Sequence, residues 1–253
     1  MILSTMPLAI LLAAATAKTP QELRAVFAHP QRIEALTIED LDLPRLPPGL
    51  GTLTALKDLR LRCLEALEEL PAEIGELRAL ERLDIDNGNG CSMNVTLPAS
   101  IGQLTKLRVL ILNGALDTGH ATIKTAKTLP AAAEALVALE ELDLGRNQLR
   151  QLPVAVGKLA ALRVLNLDYN DLRRLPPFVG RLTKLRELHL SANGRLTLPD
   201  TLKDLAGVKI WMGNDALTLA EQAALRRRFP SATFDFANEL DDENANEELP
   251  KKD

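Results

Sequence analysis

Aromatic residues are scarce here: five Phe, one Tyr and one Trp make up 3% of 253 residues. Yet the chain is 46% hydrophobic, so leucine and other aliphatics must fill the core. Cysteine is nearly absent. Cys63 and Cys91 sit in different repeats without metal-ligand spacing, and a reducing compartment is the expectation. The three histidines, His29, His120 and His189, are scattered, and none has a second ligand at metal spacing. No glycine-rich phosphate loop follows a strand, and no G-x-S-x-G elbow occurs. Asp84, Asp86, Asp143 and Asp168 recur with a period and do not converge as a catalytic group would, so no enzymatic activity and no cofactor are expected. Basic surplus is missing as well. Net charge is −4, and Asp235–Asp253 alone, with eight acids and two lysines, accounts for −6, leaving +2 for the rest (−4 minus −6). That balance argues against nucleic acid.

Long apolar runs are also lacking. Met6–Ala15 is shorter than the roughly 20 residues a membrane span needs. It has the length of a signal peptide, with Ala15-Thr16-Ala17 as the cleavage site, but no Lys or Arg precedes Lys18. The preferred expectation is a helix there, followed by a second helix opening at Thr19-Pro20-Gln21-Glu22. In that second helix Thr19 is the N-cap, Pro20 the first helical residue and Glu22 the partner in a capping box.

What the chain has is one sentence written repeatedly. Leu-Pro pairs stand at 129, 152, 175 and 198, each 23 residues from the last. Between them Leu139, Leu142, Leu144, Asn147 and Leu149 recur as Leu162, Leu165, Leu167, Asn170 and Leu172. A fixed period of this length means stacked copies of one small unit. In Leu-x-Leu both leucines share one face of an extended strand. One unit cannot close a core, but stacked strands form a parallel sheet over a continuous leucine interior. Leu165→Ala is accordingly expected to cost about 2–5 kcal/mol, whereas Asp143→Ala, on the open face, should stay within about 0.5 kcal/mol.

Asn147, Asn170 and Asn193 mark where the chain leaves the strand. An amide donates and accepts, so stacked copies can satisfy the backbone groups that the turn strips from the sheet. After each Leu-Pro comes a short segment such as Pro153–Leu159, in which Val156 and Leu159 turn one helical face inward. One turn of helix or 3₁₀ is expected in each.

The ends and the third and fourth repeats depart from the pattern. Leu41 and Leu64 stand in the asparagine slot of the first two repeats. Leu70 to Leu97 is 27 residues and Leu97 to Leu129 is 32, with the excess in Asn87–Asn94 and Gly114–Thr122. Both insertions follow a strand, so they should emerge as neighbouring loops on one edge. Val208–Met212 reads as a strand, Leu219–Phe229 as a longer helix and Thr233–Phe236 as a last strand. Glu239–Asp253 is acidic, polar and expected to be disordered.

The pattern L-x-x-L-x-L-x-x-N-x-L-x-x-L-P, with Leu97-Pro98-Ala99-Ser100-Ile101-Gly102-Gln103-Leu104 between copies, resembles the leucine-rich repeat in its 23-residue class. That class occurs in intracellular Ras-group proteins and in bacterial proteins, type III effectors of plant pathogens among them. The resemblance covers about Ile33–Phe236. It implies an α/β fold: a right-handed solenoid of about eight repeats, a parallel β-sheet on the concave face, short helices or 3₁₀ turns on the convex face and helical caps. Residues 1–32 would be the N-terminal cap, 33–236 the solenoid with its C-terminal cap, and 237–253 the tail. Disulfide-bonded caps, usual in secreted members, have no residues to form them.

The resemblance also implies a protein ligand on the concave face. There the residues between the strand leucines read as a pattern: Arg60, Arg62 and Arg82 with Asp84 and Asp86; then Val109, Ile111 and Asn113; then Glu141, Asp143, Val164, Asn166, Asp168, Glu187 and His189, bordered by Tyr169. These residues and the third- and fourth-repeat loops are the expected binding surface. Trp211 falls on the buried side by strict register and on the concave face by a one-residue slip. The function expected is non-catalytic recognition of a protein partner by a cytoplasmic monomer that binds neither membrane nor nucleic acid. The alternatives are the substrate-recruiting arm of a secreted bacterial effector, with catalysis such as ubiquitin ligation in another domain or chain, and a structural spacer.

Overall fold

The computed structural model describes residues 14–86, 91, 93–116, 128–213 and 217–236. They build one ten-stranded sheet whose strands lie in chain order, every neighbouring pair parallel. The strands are β1 (Ala14–Ala17), β2 (Ala35–Glu39), β3 (Asp58–Arg62), β4 (Arg82–Asp86), β5 (Val109–Ile111), β6 (Glu141–Asp143), β7 (Val164–Asn166), β8 (Glu187–His189), β9 (Lys209–Trp211) and β10 (Thr233–Asp235). The register sets leucine on leucine: Leu36, Leu59, Leu83, Leu110, Leu142, Leu165, Leu188 and Ile210 form one column, each at most 1% exposed. A single apolar cluster runs from Ala17 to Phe234. The chain is a leucine-rich-repeat solenoid.

Each Leu-Pro from Leu70-Pro71 to Leu198-Pro199 opens a 3₁₀ turn. In Pro177–Arg181, Pro176 at φ −66° presets the entry, the Val179 N–H donates to the Pro176 carbonyl at 3.1 Å, and Val179 packs inward with no exposed surface. Glycine in L-P-x-x-[IV]-G-x-L serves the stacking of these turns. A Cβ at Gly180 would run into the Thr201 carbonyl of the next repeat, and one at Gly75 would lie 2.6 Å from the Ser100 carbonyl.

The asparagine ladder is present and buried. The Asn170 side chain donates to the carbonyls of Leu144, Leu167 and Asp168 and accepts the N–H groups of Asn147 and Leu149 at 3.2 and 2.8 Å. Asn147 and Asn193 repeat the scheme one rung to either side. One turn position, one to three residues past the strand end, takes a left-handed conformation in repeats with and without the amide: Asp40, Cys63, Gly114, Arg146, Tyr169 and Ala192 have φ between 48° and 64°. The turn is therefore a property of the repeat, and the amide only satisfies it.

Three expectations need correction. Ala14 and Ala15, placed in a first cap helix, lie in β1, pairing with Ala35 and Leu36, so the sheet extends one strand beyond the first recognisable repeat. The rest of that expected helix, before Ala14, lies outside the described residues; the helix from Thr19 is present as α1 (Pro20–Ala28), with the capping box between Thr19 and Glu22. Cys63 and Cys91 are bonded to each other, with Cα atoms 5.4 Å apart. Separated by 28 residues, they meet because the left-handed turn after β3 faces the return of the third-repeat insertion. The inference of a reducing compartment loses its basis. Asp143 is not an open surface carboxylate but a half-buried one with backbone partners, described below.

The two insertions meet where they are described: Asn94 bridges Leu116, and the Val95 N–H donates to the Ala115 carbonyl at 2.8 Å. Residues 87–90, 92 and 117–127 of those insertions lie outside the described residues, as do 1–13 and the acidic tail after Phe236. At the C-terminal end α2 (Leu219–Arg228), capped by Thr218 and Glu221, precedes the last strand, and Phe229, at its C-cap, is fully buried beside Phe234.

Candidate functional site: the concave strand face

The side chains that alternate with the buried leucines form three adjoining columns across the sheet. All of the concave residues expected from the sequence lie on this face or at its exit edge, but they do not form one uniform surface. Their chemistry divides at β5.

In β3 and β4 the charges consume one another. Arg60 grips Asp58 with two bonds at 3.1 and 2.9 Å. Arg62 reaches Asp86 at 2.6 Å and Asp84 at 2.9 Å, and Arg82 reaches the same Asp84 oxygen at 3.1 Å. Asp84 is 1% exposed, so it lies beneath the two guanidinium groups and has no surface to offer a ligand, contrary to expectation. Lys18 pairs with Glu39 at 2.7 Å and extends the neutralised zone to the cap. Breaking such part-buried pairs leaves a charge uncompensated, so these arginines hold the sheet surface together before they hold anything else.

At β5 the face turns apolar. Val109 and Ile111 are half-buried. With Val164, Val109 lines a cavity of about 330 Å³ rimmed by Arg82, Arg108, Glu140 and Glu141.

From β6 onward a second polar ladder runs along the strand exits. Asp143 accepts the Gly145 N–H at 2.7 Å and the Asn166 amide at 3.1 Å. Asn166 accepts the Asp168 N–H at 2.9 Å, Asp168 accepts the Ser191 N–H at 2.6 Å, and Ser191 accepts the Gly213 N–H at 3.1 Å. Burial pushes the Asp143 carboxyl above the ordinary aspartate range, against the hydrogen bonds that favour its charged form.

This ladder frames an aromatic centre. Trp211 belongs to the concave face, paired in register with His189 and Asp235. The eighth repeat is one residue short: Ile210 follows Leu188 by 22. His189 stacks on Trp211 with ring centres 4.1 Å apart and planes at 8°. Its ring nitrogens face Asp168 and Glu187 at 3.8 and 3.7 Å. The Lys209 ammonium sits 4.3 Å from the Trp211 ring centre and 3.4 Å from Asp235. Tyr169 stands off the trough at the exit edge, its ring under the Arg146 guanidinium at 4.1 Å. The sequence left Trp211 between two faces and passed over Lys209. The 22-residue spacing is the signal that decides both.

Among the described residues no group of three His, Cys, Asp or Glu could hold a metal ion, and no helix is long and apolar enough to cross a membrane. The arrangement offers shape, charge and a stacked aromatic pair.

Comparison with known proteins agrees with the geometry. Three leucine-rich-repeat family models match consecutive stretches: a leucine-rich repeat region over residues 35–146, a leucine rich repeat over 128–172 and two further copies over 160–207. A uridine 5'-monophosphate transferase of Xanthomonas campestris is 40% identical over 77 residues, which is 30% of this chain and 14% of that protein. The disease resistance protein RPS4B of Arabidopsis thaliana is 28% identical over 126 residues, 48% of this chain and 10% of that protein. The chain thus spans a small fraction of these curated relatives. Among solved structures, an internalin from Listeria monocytogenes superposes with TM-score 0.59 at 18% identity, covering 86% of this chain and 56% of the other. The leucine-rich-repeat domain of the type III effector XopL gives 0.56 at 21% identity, covering 84% of this chain and 80% of the other. At such identities the superpositions speak for the fold, and with the three family models covering residues 35–207 they establish that this chain belongs to the leucine-rich-repeat family.

Proposed function

We propose that the chain is a non-catalytic recognition module that holds a protein partner in the C-terminal half of its concave face. The observation that carries this is the half-exposed Trp211, stacked on His189 and set among Asp168, Glu187 and Asp235. Trp is over-represented among the residues that dominate binding energy. Around this pair carboxylates outnumber the single ammonium of Lys209, so the partner presents cationic side chains. The cavity beside Val109 and Val164 receives an apolar one. Arg60, Arg62 and Arg82 contribute by keeping β3 and β4 in place.

The test is affinity capture with mass spectrometry, followed by titration of the purified partner. Trp211 is the only tryptophan, so its fluorescence reports engagement directly. Trp211→Ala should weaken binding about 30-fold, the effect of losing roughly 2 kcal/mol. The Arg60/Arg62/Arg82→Ala triple variant, if folded, should bind within a few-fold of the parent. The reverse ranking would transfer the site to the N-terminal half.

A second reading, recruitment of a substrate for catalysis carried by another domain or chain of a secreted bacterial effector, draws support from the Xanthomonas transferase and from the XopL domain. Reading the gene on both sides of this chain and assaying export of the full product tests it. A cytoplasmic product without an appended catalytic domain would remove that reading and leave the first.

A further inference from the structure

Beyond the concave face, we propose a separate site on the strand-exit edge that binds an acidic, extended segment of a partner protein. Just past the ladder asparagines, Arg150, Arg173 and Arg195 line one cavity of about 660 Å³, together with Asp171 and the last rung, Asn193. The three arginines come from consecutive repeats, 23 and 22 residues apart, so the strand spacing of about 4.8 Å sets them side by side. Among the described residues neither Arg150 nor Arg173 makes an ion pair, and both are exposed. Arg195 has one distant carboxylate, Glu221 of α2, at 3.9 Å.

Nothing in the repeat demands arginine here. The positions two and one before the Leu-Pro are Arg150 and Gln151 in one repeat and Arg173 and Arg174 in the next. In the second repeat they are Glu68 and Glu69. Arg45 in the first repeat and Lys127 in the fourth stand here singly, and in the seventh Arg195 comes one residue earlier, so arginines in consecutive repeats are local to the fifth to seventh. On the opposite edge the charges of the first five repeats alternate and pair, as Lys57 does with Glu34 at 2.8 Å and Arg108 with Glu140 at 2.9 Å, and only Arg163 and Arg186 stand there as consecutive cations, a second basic stretch against which the exit edge can be tested. An unneutralised row of guanidinium groups costs self-repulsion unless an anion visits it. The guanidinium fork is permanently charged and matched to two-oxygen acceptors. The cavity is far larger than one oxyanion, and a row of forks suits carboxylates carried along an extended chain. A peptide in β conformation presents alternate side chains about 6.6 Å apart along its length.

The experiment is fluorescence anisotropy of a dye-labelled octaglutamate peptide titrated with the full chain in low salt. Both proteins compared carry the same acidic stretch after Asn238, so self-competition is equal. Saturable binding is expected, weakened at least tenfold by Arg150→Glu/Arg173→Glu. It should also be lost at about 0.5 M salt, where screening acts within roughly 4 Å. The Arg163→Glu/Arg186→Glu variant, on the opposite edge and with the same change in net charge, should bind like the parent, as should Trp211→Ala. The last result separates this site from the concave one, because either can fail alone. Absence of saturable binding would overturn the proposal, as would equal loss in both charge-reversed variants. Equal affinity for an uncharged Ser-Gly octapeptide, or tighter binding of inorganic phosphate or an eight-nucleotide single strand, would overturn the acidic-peptide assignment.

Discussion

Replacing Asn170 by alanine strips the ladder of an amide that satisfies both donors and acceptors of the backbone. Its amide holds five partners, the N–H groups of Asn147 and Leu149 and the carbonyls of Leu144, Leu167 and Asp168, at 2.8–3.2 Å. It is 5% exposed, so water cannot replace the lost oxygen freely. Two stranded N–H groups at 1–3 kcal/mol each, partly relieved by relaxation, give an expected loss of about 3–5 kcal/mol. That is a large share of a stability of roughly 5–15 kcal/mol. Urea unfolding followed by far-ultraviolet circular dichroism measures it, with the slope checked against the parent. Asn170→Leu is the informative companion. It restores volume but not polarity, so it should be as damaging as alanine. Leucine does occupy the slot at Leu41 and Leu64, but in repeats whose turns close without the amide. The exposed neighbour Asp171→Ala should lie within about 0.5 kcal/mol of the parent. An Asn170→Leu protein as stable as the parent would show that the slot wants bulk, and the account of the ladder would be wrong.

Other consequences are more local. Gly180→Ala sets a methyl against the Thr201 backbone, so it should cost about 1–3 kcal/mol by overpacking and lower Tm in differential scanning fluorimetry. Gly194→Ala, with φ 66° and no atom within 4 Å, should show only the 1–2 kcal/mol of a left-handed alanine. Cys63→Ser opens a 28-residue loop and should lose about 3–4 kcal/mol; reductant should destabilise the parent and leave the variant unmoved. Carboxyl NMR should place the Asp143 midpoint above the ordinary aspartate value of about 3.9 and that of Asp200, held by Arg228 and Lys203, below it. The native state thus holds the Asp143 proton more tightly than the unfolded chain does. Its contribution to stability is full below the unfolded value and lost as pH rises through the folded one, opposite to that of Asp200.

How much of this was legible depended on whether a feature repeats. The leucine column, the 3₁₀ turns after Leu-Pro and the buried amides follow from period and chemistry, and the structure places Leu165, Val179 and Asn170 accordingly. The capping box at Thr19 is a local signal and equally readable. What escaped is non-periodic. Ala14–Ala17 carries no leucine to mark it as a strand, and only pairing with β2 makes it one. Cys63 and Cys91 meet through an insertion whose path no spacing rule gives. Trp211 required seeing a single missing residue between Leu188 and Ile210.

Pairing between side chains was the other thing hidden, although its rule is simple. Adjacent strands lie about 4.8 Å apart, within ion-pair reach, so the order of signs down a column decides whether a charged face closes on itself. Glu39, Arg62 and Asp86 alternate in neighbouring repeats, Arg82 stands next to Asp84, and those charges are consumed. Further along the same two columns, Glu141 and Glu187 are separated by Val164, with no cation between them, and Asp168 lies between Gly145 and Ser191. Asp168 accepts the Ser191 N–H, Asp168 and Glu187 face the His189 ring at 3.8 and 3.7 Å, and the carboxylates of this stretch outnumber its one ammonium, Lys209. A period of 23 therefore tells more than which residues face outward. Subtracted column by column, it separates the stretch that neutralises itself from the stretch left to act on another molecule, and here that boundary falls at β5.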